Sequence, residues 1–323
     1  MSVNTPNLLS RFELLTLPNS KRPILNTHST FEFVKKSPKV KPPVIHIGTI
    51  DHYYYGDQLI NGYFLFKPAI LSIIKCLKVR YKDVVIKYIS LNQEDKEYFN
   101  NIQKQDILIW IGHRLKPNFH SLKKRGVYTI YYNPEPDTTI YASNEIWTYS
   151  KYLCKKYIKE NPNKIIKFFP ISFEDNKNKL NYLLNNERKL IFLGSLDLRE
   201  EKKAKLLTDP NTQNDIIEVY NLWNDKDFNS FMNNKSHIFL NLTKDGTNAL
   251  PSFRINKLLS HKSIIISEHT NKLDDKMYED LLYFCDIDKI GKLYHELKNK
   301  TPVELQEIAN QFYDRFKTKF SQI

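Results

Sequence analysis

The sequence predicts an α/β protein built from two doubly wound units of mainly parallel sheet that face each other across a crevice. Three observations predict it. Short continuous apolar runs alternate with segments of helical periodicity, the pattern of strands covered on both faces. The alternation stops at the polar stretch FEDNKNKLNYLLNNER (173–188) and then restarts. The chain has 323 residues, more than one hydrophobic core usually serves.

Residues 1–42, with Pro at 6, 18, 23, 38 and 42, read as an extended lead-in. The first unit, 43–175, opens with PPVIHIGTI (42–50), a buried strand. YFLFKPAILSIIKCL (63–77) is helical in its second half, and KDVVIKYISL (82–91) is a strand. DILIWIGHR (106–114), GVYTIYYNPEP (126–136) and NEIWTYS (144–150) are three more strands. A helix over 151–160 puts Leu153, Cys154, Tyr157 and Ile158 inward, and KIIKFFPIS (164–172) closes the unit. The second unit, 189–323, starts with the strand KLIFLGS (189–195) and a helix from about 198, with Asp197 and Glu200 as a capping box. IIEVYNL (216–222), HIFLNLT (237–243), SIIISE (263–268) and LLYFC (281–285) are its further strands. Helices are expected near 226–234, from Ser252, and over 288–298 and 302–320, with Asp288 as an N-cap. The last two could fold back onto the first unit.

Composition narrows the function classes. Cys76, Cys154 and Cys285 form no CxxC or Cys/His grouping, which argues against a zinc site and a disulfide framework. No stretch approaches 18 apolar residues, and the first thirty lack an apolar run, so neither a spanning helix nor a secretory signal is expected. The expected location is the cytoplasm. The net charge of +13 is uneven: residues 1–175 hold 26 Lys/Arg against 15 Asp/Glu, whereas 176–323 hold 23 against 21. A basic first half fits an acidic partner or peripheral contact with a membrane. The basic residues are scattered between apolar strands and form no nucleic-acid-binding module, so no nucleic acid is expected as a partner.

One helix start points to a ligand. After the loop KDGTNALP, the helix beginning at Pro251 and Ser252 carries Arg254 and Lys257 in its first turns and no acid. The free N–H groups there favour negative charge, and a cation costs roughly 0.3–1 kcal/mol. In doubly wound sheets such helix starts lie beyond the carboxyl ends of strands, where ligands bind. A guanidinium there can pair with two phosphate oxygens. The turn at Gly194 and Ser195, followed by Arg199 and Lys203, offers a second mouth of the same kind.

Four stretches carry a resemblance. YYNPEP (131–136) and NEIWTYSKY (144–152) resemble the first-domain pattern of a bacterial and viral glycosyltransferase-like group. LIFLGSLDLRE (190–200) resembles its second-domain opening strand and glycine turn, and SFRINKLLSHKSIIISE (252–268) its donor-site helix and strand. Over roughly residues 130–285 the chain thus resembles a GT-B glycosyltransferase, in which two Rossmann-like domains face each other and the C-terminal one binds a nucleotide sugar. The resemblance implies that Gly194, Ser195 and Arg199 line the diphosphate side and that Arg254 neutralises the phosphates. It places Asn256 in the donor helix and Ser267 and Glu268 near the nucleoside or ribose. The chain departs from it in two ways: Arg254, Asn256 and Lys257 occupy a stretch where many such enzymes have a glutamate, and Lys262 stands where they have glycine.

Glycosyl transfer requires positive charge on the leaving diphosphate and, with inversion, a base for the acceptor hydroxyl. The resemblance places the base in the first domain. Asp51 and His52, after the first strand, and Glu135, stiffened between Pro134 and Pro136, are the catalytic candidates, with His113 a further one. His46, inside an apolar strand, reads as a core residue. The Asp-x-Asp triplets at 225–227 and 286–288 read as helix starts, so no metal site, obligatory metal or cofactor is expected. The sequence therefore predicts a metal-independent transferase acting on a nucleotide-sugar donor and a glycan, protein or lipid-linked acceptor. An inactive scaffold that binds a nucleotide or partner is the alternative, and a basic nucleic-acid-binding protein a weaker one.

Overall fold

The computed structural model describes residues 43–50, 52–55, 58–80, 85–91, 96–112, 117–133, 142–176, 178–184, 187–197, 199–220, 222, 225–233 and 236–321. The first unit runs β1 (Val44–Ile50), β2 (His52–Tyr55), β3 (Gln58–Asn61), α1 (Gly62–Arg80), β4 (Val85–Leu91), β5 (Ile107–Ile111), α2 (Phe119–Lys124), β6 (Tyr128–Asn133), β7 (Glu145–Thr148), α3 (Lys151–Glu160) and β8 (Ile165–Phe168). The second runs β9 (Leu190–Leu193), α4 (Glu200–Thr208), β10 (Ile216–Val219), α5 (Asp225–Met232), β11 (Ile238–Asn241), α6 (Ser252–Ser260), β12 (Ile265–Glu268), α7 (Lys272–Tyr278), β13 (Tyr283–Cys285), α8 (Ile290–Lys298) and α9 (Pro302–Phe320).

Six strands form the first sheet in the order β4-β1-β5-β6-β7-β8, and five form the second in the order β10-β9-β11-β12-β13. Every pairing within these two sheets is parallel. Both are doubly wound sheets. The chain turns back between β1 and β5 in the first and between β9 and β11 in the second, which opens a crevice at each switch point. The runs read as central strands are wholly buried in β5, β11 and β12. Helices on both faces protect them from water.

Several expectations need correction. After the first strand, His52–Tyr55 and Gln58–Asn61 pair as the antiparallel strands β2 and β3, which were not expected. Helix α1 starts at Gly62 and runs through Pro68. Proline removes one backbone N–H, and the burial of Phe66, Ala69, Ile70, Ile73 and Leu77 outweighs that loss. Helices α2 and α7 were not expected; α7 is capped by Asn271, whose side chain accepts from the N–H groups of Leu273 and Asp274. No capping box joins Asp197 to Glu200: α4 begins at Glu200, and its N-cap, Arg199, makes no side-chain cap bond. Asp288 lies in a single 3-10 turn before α8 and pairs with Lys205 at 2.8 Å. The capping box is at α9 instead, between Thr301 and Glu304 with Pro302 at the first turn.

Helix α6 joins the two units. Phe253 packs edge-on against Phe66, Tyr132 and Tyr149 of the first, with ring centroids 5.5–6.2 Å apart. Asp274 of α7 accepts from the Ser150 hydroxyl at 2.6 Å and the Tyr152 N–H at 3.3 Å, so a second-unit carboxylate caps the start of α3. Its Oδ2 also accepts from the Leu250 N–H, which ties the loop before α6 to the same joint. None of the described helices is long and apolar enough to cross a membrane.

Candidate functional site

The site is built around the switch point of the second sheet, where the loops after β9 and β11 run side by side. Gly194 directly follows β9 with φ +126°, a conformation that side-chain-bearing residues rarely adopt. A Cβ there would sit 3.8 Å from Nη2 of Arg254. The loop then folds on itself: the Ser195 hydroxyl donates to Asp197 at 2.8 Å and accepts from the Asp197 N–H. The Ser195 carbonyl accepts from Nη1 of Arg199 at 2.8 Å, and the Leu242 carbonyl from its Nε at 3.1 Å. Two backbone carbonyls thus fix a buried arginine between the loops after β9 and β11.

Arg254 enters from α6. Its guanidinium lies 4.9 Å from the Phe192 ring centroid, and that of Arg199 lies 5.0 Å from the same centroid. The aromatic ring in β9 therefore carries two cations, each stabilised by about 0.5–2 kcal/mol. They also repel each other. Burial, reinforced by the like charge of Arg199, pushes the Arg254 guanidinium down to about 9, which leaves it cationic at neutral pH. Burial also lowers Arg199, with Glu268 and Asp245 acting in the opposite direction. The one side-chain hydrogen bond of Arg254 among the described residues runs to Oδ1 of Asn241, at 3.4 Å, and no described carboxylate pairs with it. The first turn of α6 contains no acid. A cation is thus held at an electropositive terminus, against the Phe192 ring and beside Asn241.

Next to this pair lies a cleft of about 700 Å³, lined by Lys202, Thr243, Asp245, Asn248, Glu268 and His269 among others. Glu268 ends β12 and is 7% exposed. Its Oε1 accepts from Nζ of Lys202 at 2.9 Å, from the Thr243 N–H at 2.5 Å and from the Thr243 hydroxyl at 2.6 Å. Arg199 and Arg254 stand outside the cleft lining. A single peptide unit connects the two regions, because the Leu242 carbonyl holds Arg199 and the Thr243 N–H holds Glu268.

The structure thus brings Gly194, Ser195, Arg199, Arg254 and Glu268 together around the carboxyl ends of β9, β11 and β12. It turns two expected donor residues elsewhere. The Asn256 amide donates to the Ile171 carbonyl and accepts from the Tyr278 hydroxyl, so it fastens α6 to the interdomain joint. Ser267 is fully buried; its hydroxyl donates to the Glu268 carbonyl and accepts from Asn241, tying β12 to β11. Lys203 is also diverted, pairing with Glu218 at 3.0 Å and Asp197 at 3.2 Å. Asp51, Glu135 and His113 lie outside the described residues. The backbone of His52 opens β2, and its side chain lies outside them too. Sequence reasoning missed Lys202, which sits one residue before the lysine it named; the i,i+3 offset from Arg199 was the available signal.

His46 is a core residue as expected, with Nε2 3.1 Å from Asp106 and Nδ1 3.0 Å from the Tyr98 hydroxyl. Among the described residues, no three of His, Cys, Asp and Glu gather closely enough to hold a metal ion.

No protein-family model and no curated protein sequence matches this chain. Solved structures match it in fold. T4 phage BGT, in complex with UDP and Mn2+, matches over 86% of this chain and 96% of its own, with a TM-score of 0.52 and 11% identity. An α,α-trehalose-phosphate synthase (UDP-forming) from Burkholderia vietnamiensis matches over 86% and 94%, at a TM-score of 0.49 and 9% identity. For accessory secretory protein 1,2 and 3 in Streptococcus pneumoniae the shares are 70% and 52%, at 0.39 and 11%, so this chain spans about half the length of that one. The chain has the GT-B fold, two Rossmann-like domains with parallel sheets and alternating helices.

Proposed function

We propose that the protein is a glycosyltransferase that takes a sugar from a nucleotide-sugar donor. One observation carries the reading: two guanidinium groups share the Phe192 ring at the second switch point, and Arg254 has no acidic partner among the described residues. Two adjacent cations repel, and a diphosphate between them turns that repulsion into attraction. In the transfer step the bond from the anomeric carbon to the diphosphate oxygen breaks, and its electrons stay on the diphosphate. The acceptor oxygen bonds to that carbon and gives up its proton to a first-domain base. Arg254 and Arg199 stabilise the charge that develops on the leaving group.

Glu268 fits the nucleoside end of the same ligand, because a carboxylate accepts hydrogen bonds from ribose hydroxyls. The two arginines supply positive charge that a divalent ion would otherwise bring, so the reaction proceeds without an obligatory metal. Among the neighbours in fold, T4 phage BGT was solved with UDP and Mn2+, which makes the metal question one to test directly. Incubation with UDP-, GDP- and ADP-sugars should give slow hydrolysis of at least one, undiminished in EDTA. Absence of turnover with every donor, without a thermal shift, would favour a nucleotide-free scaffold; loss of turnover in EDTA would overturn metal independence alone.

A further inference from the structure

We propose that Lys202 is a positioning residue that holds Glu268 for ribose and so makes the cleft select ribonucleotides over 2′-deoxyribonucleotides. The inference rests on the nucleotide-sugar reading and deepens it. Lys202 lies in the first turn of α4, and its ammonium has three N–H donors. One goes to the Thr243 carbonyl at 3.0 Å, one to the Thr243 hydroxyl at 3.2 Å and one to Oε1 of Glu268 at 2.9 Å. No N–H remains for a phosphate. Asp245, 3.5 Å away, adds negative charge beside it.

The consequence falls on Glu268. The three bonds that reach its carboxylate from described residues all end on Oε1: from Lys202, from the Thr243 N–H and from the Thr243 hydroxyl. A carboxylate has about four acceptor positions shared between its two oxygens. Oε2 receives none of these bonds, and the residue lines the cleft. The carboxylate is therefore clamped by one oxygen and offers the other. Hydroxyl donors on adjacent ribose carbons match an oxygen presented in this way. A 2′-deoxy sugar keeps the clamp and leaves part of that acceptor capacity unused. A site built to pair with a hydroxyl discriminates strongly against the analogue that lacks it.

The spacing also agrees. The Leu242–Thr243 peptide holds Arg199 by its carbonyl and Glu268 by its N–H, so the phosphate-side cation and the ribose-side acid are set one peptide apart. Lys202 bonds to the carbonyl and the hydroxyl of Thr243 and so holds the residue that follows that peptide.

The experiment is calorimetric titration of wild type, Lys202→Met, Lys202→Arg and Glu268→Gln with UDP, GDP, their 2′-deoxy counterparts and inorganic pyrophosphate. Wild type should prefer the ribonucleotide by about tenfold. Lys202→Met should bring that ratio close to one while losing much less affinity for pyrophosphate, and Lys202→Arg should keep a ratio above that of Lys202→Met. A wild-type ratio near one, or a full ratio in Lys202→Met, overturns the inference and leaves the transferase reading standing. If Lys202→Met does not fold, the Glu268→Gln ratio decides, and an unchanged value overturns the inference. The expected ratios without turnover of any donor sugar would sink the transferase reading alone. Failure of wild type to bind any of these probes would sink both.

Discussion

Arg254 has no acidic partner among the described residues, and this has a cost without ligand. Partial burial and the neighbouring Arg199 both work against its charge. Arg254→Met keeps much of the apolar stem and removes that charge. It should raise the ligand-free melting temperature by roughly 1–3 °C, as expected when a binding site is kept at the expense of stability. A lower melting temperature in differential scanning calorimetry would show that the cation is satisfied in the free protein. His46 shows the contrasting case of a charge avoided. Burial lowers its pKa, with Asp106 acting in the opposite direction. Its folded pKa thus lies below its unfolded one, so between the two values the unfolded chain binds more protons and stability is lost as pH falls below about 6.5. His46→Asn should flatten the fall in urea midpoint between pH 7 and pH 5; an unchanged slope would assign that fall to other groups.

At the scale of elements, much of what positions the site was legible in the sequence. The start of α6 at Pro251 and Ser252, its lack of an early acid and the glycine turn after β9 could all be read because they are local. Lys262 was legible as well. The resemblance marks its position as one for glycine, and the chain there has φ +59°. Its Nζ bonds to Asn310 at 2.7 Å and lies over the Tyr313 ring, which helps to offset the strain. Lys262→Gly should therefore be more stable than Lys262→Ala by about 1 kcal/mol, the reverse of their order inside a helix. Chemical denaturation measures it, and an alanine variant at least as stable would remove the strain argument. The partners of Asn256, Ser267 and Lys203 were not legible. Each is decided by residues far along the chain or on a neighbouring strand, such as Ile171, Asn241 and Glu218. Spacing along one helix carries no information about them.

At the scale of the whole molecule, both parallel sheets were legible because strands buried on both faces show as unbroken apolar runs. The joint between them was not. Phe253 enters an aromatic cluster drawn from α1, β6 and the end of β7, and Asp274 caps a helix of the other unit. The result is that Arg254 follows directly on the residue that anchors the first domain. In the proposed function, donor charge and the first domain therefore meet within one turn of α6. The central claim is that this turn and the end of β12 hold a nucleoside diphosphate. The most direct measurement is the affinity of wild type, Arg254→Ala and Glu268→Ala for the nucleotide that binds wild type most tightly. The account predicts a loss of about 10–100-fold in the first variant, from removal of charged hydrogen bonds, and a smaller loss in the second. Unchanged affinity in both would contradict it.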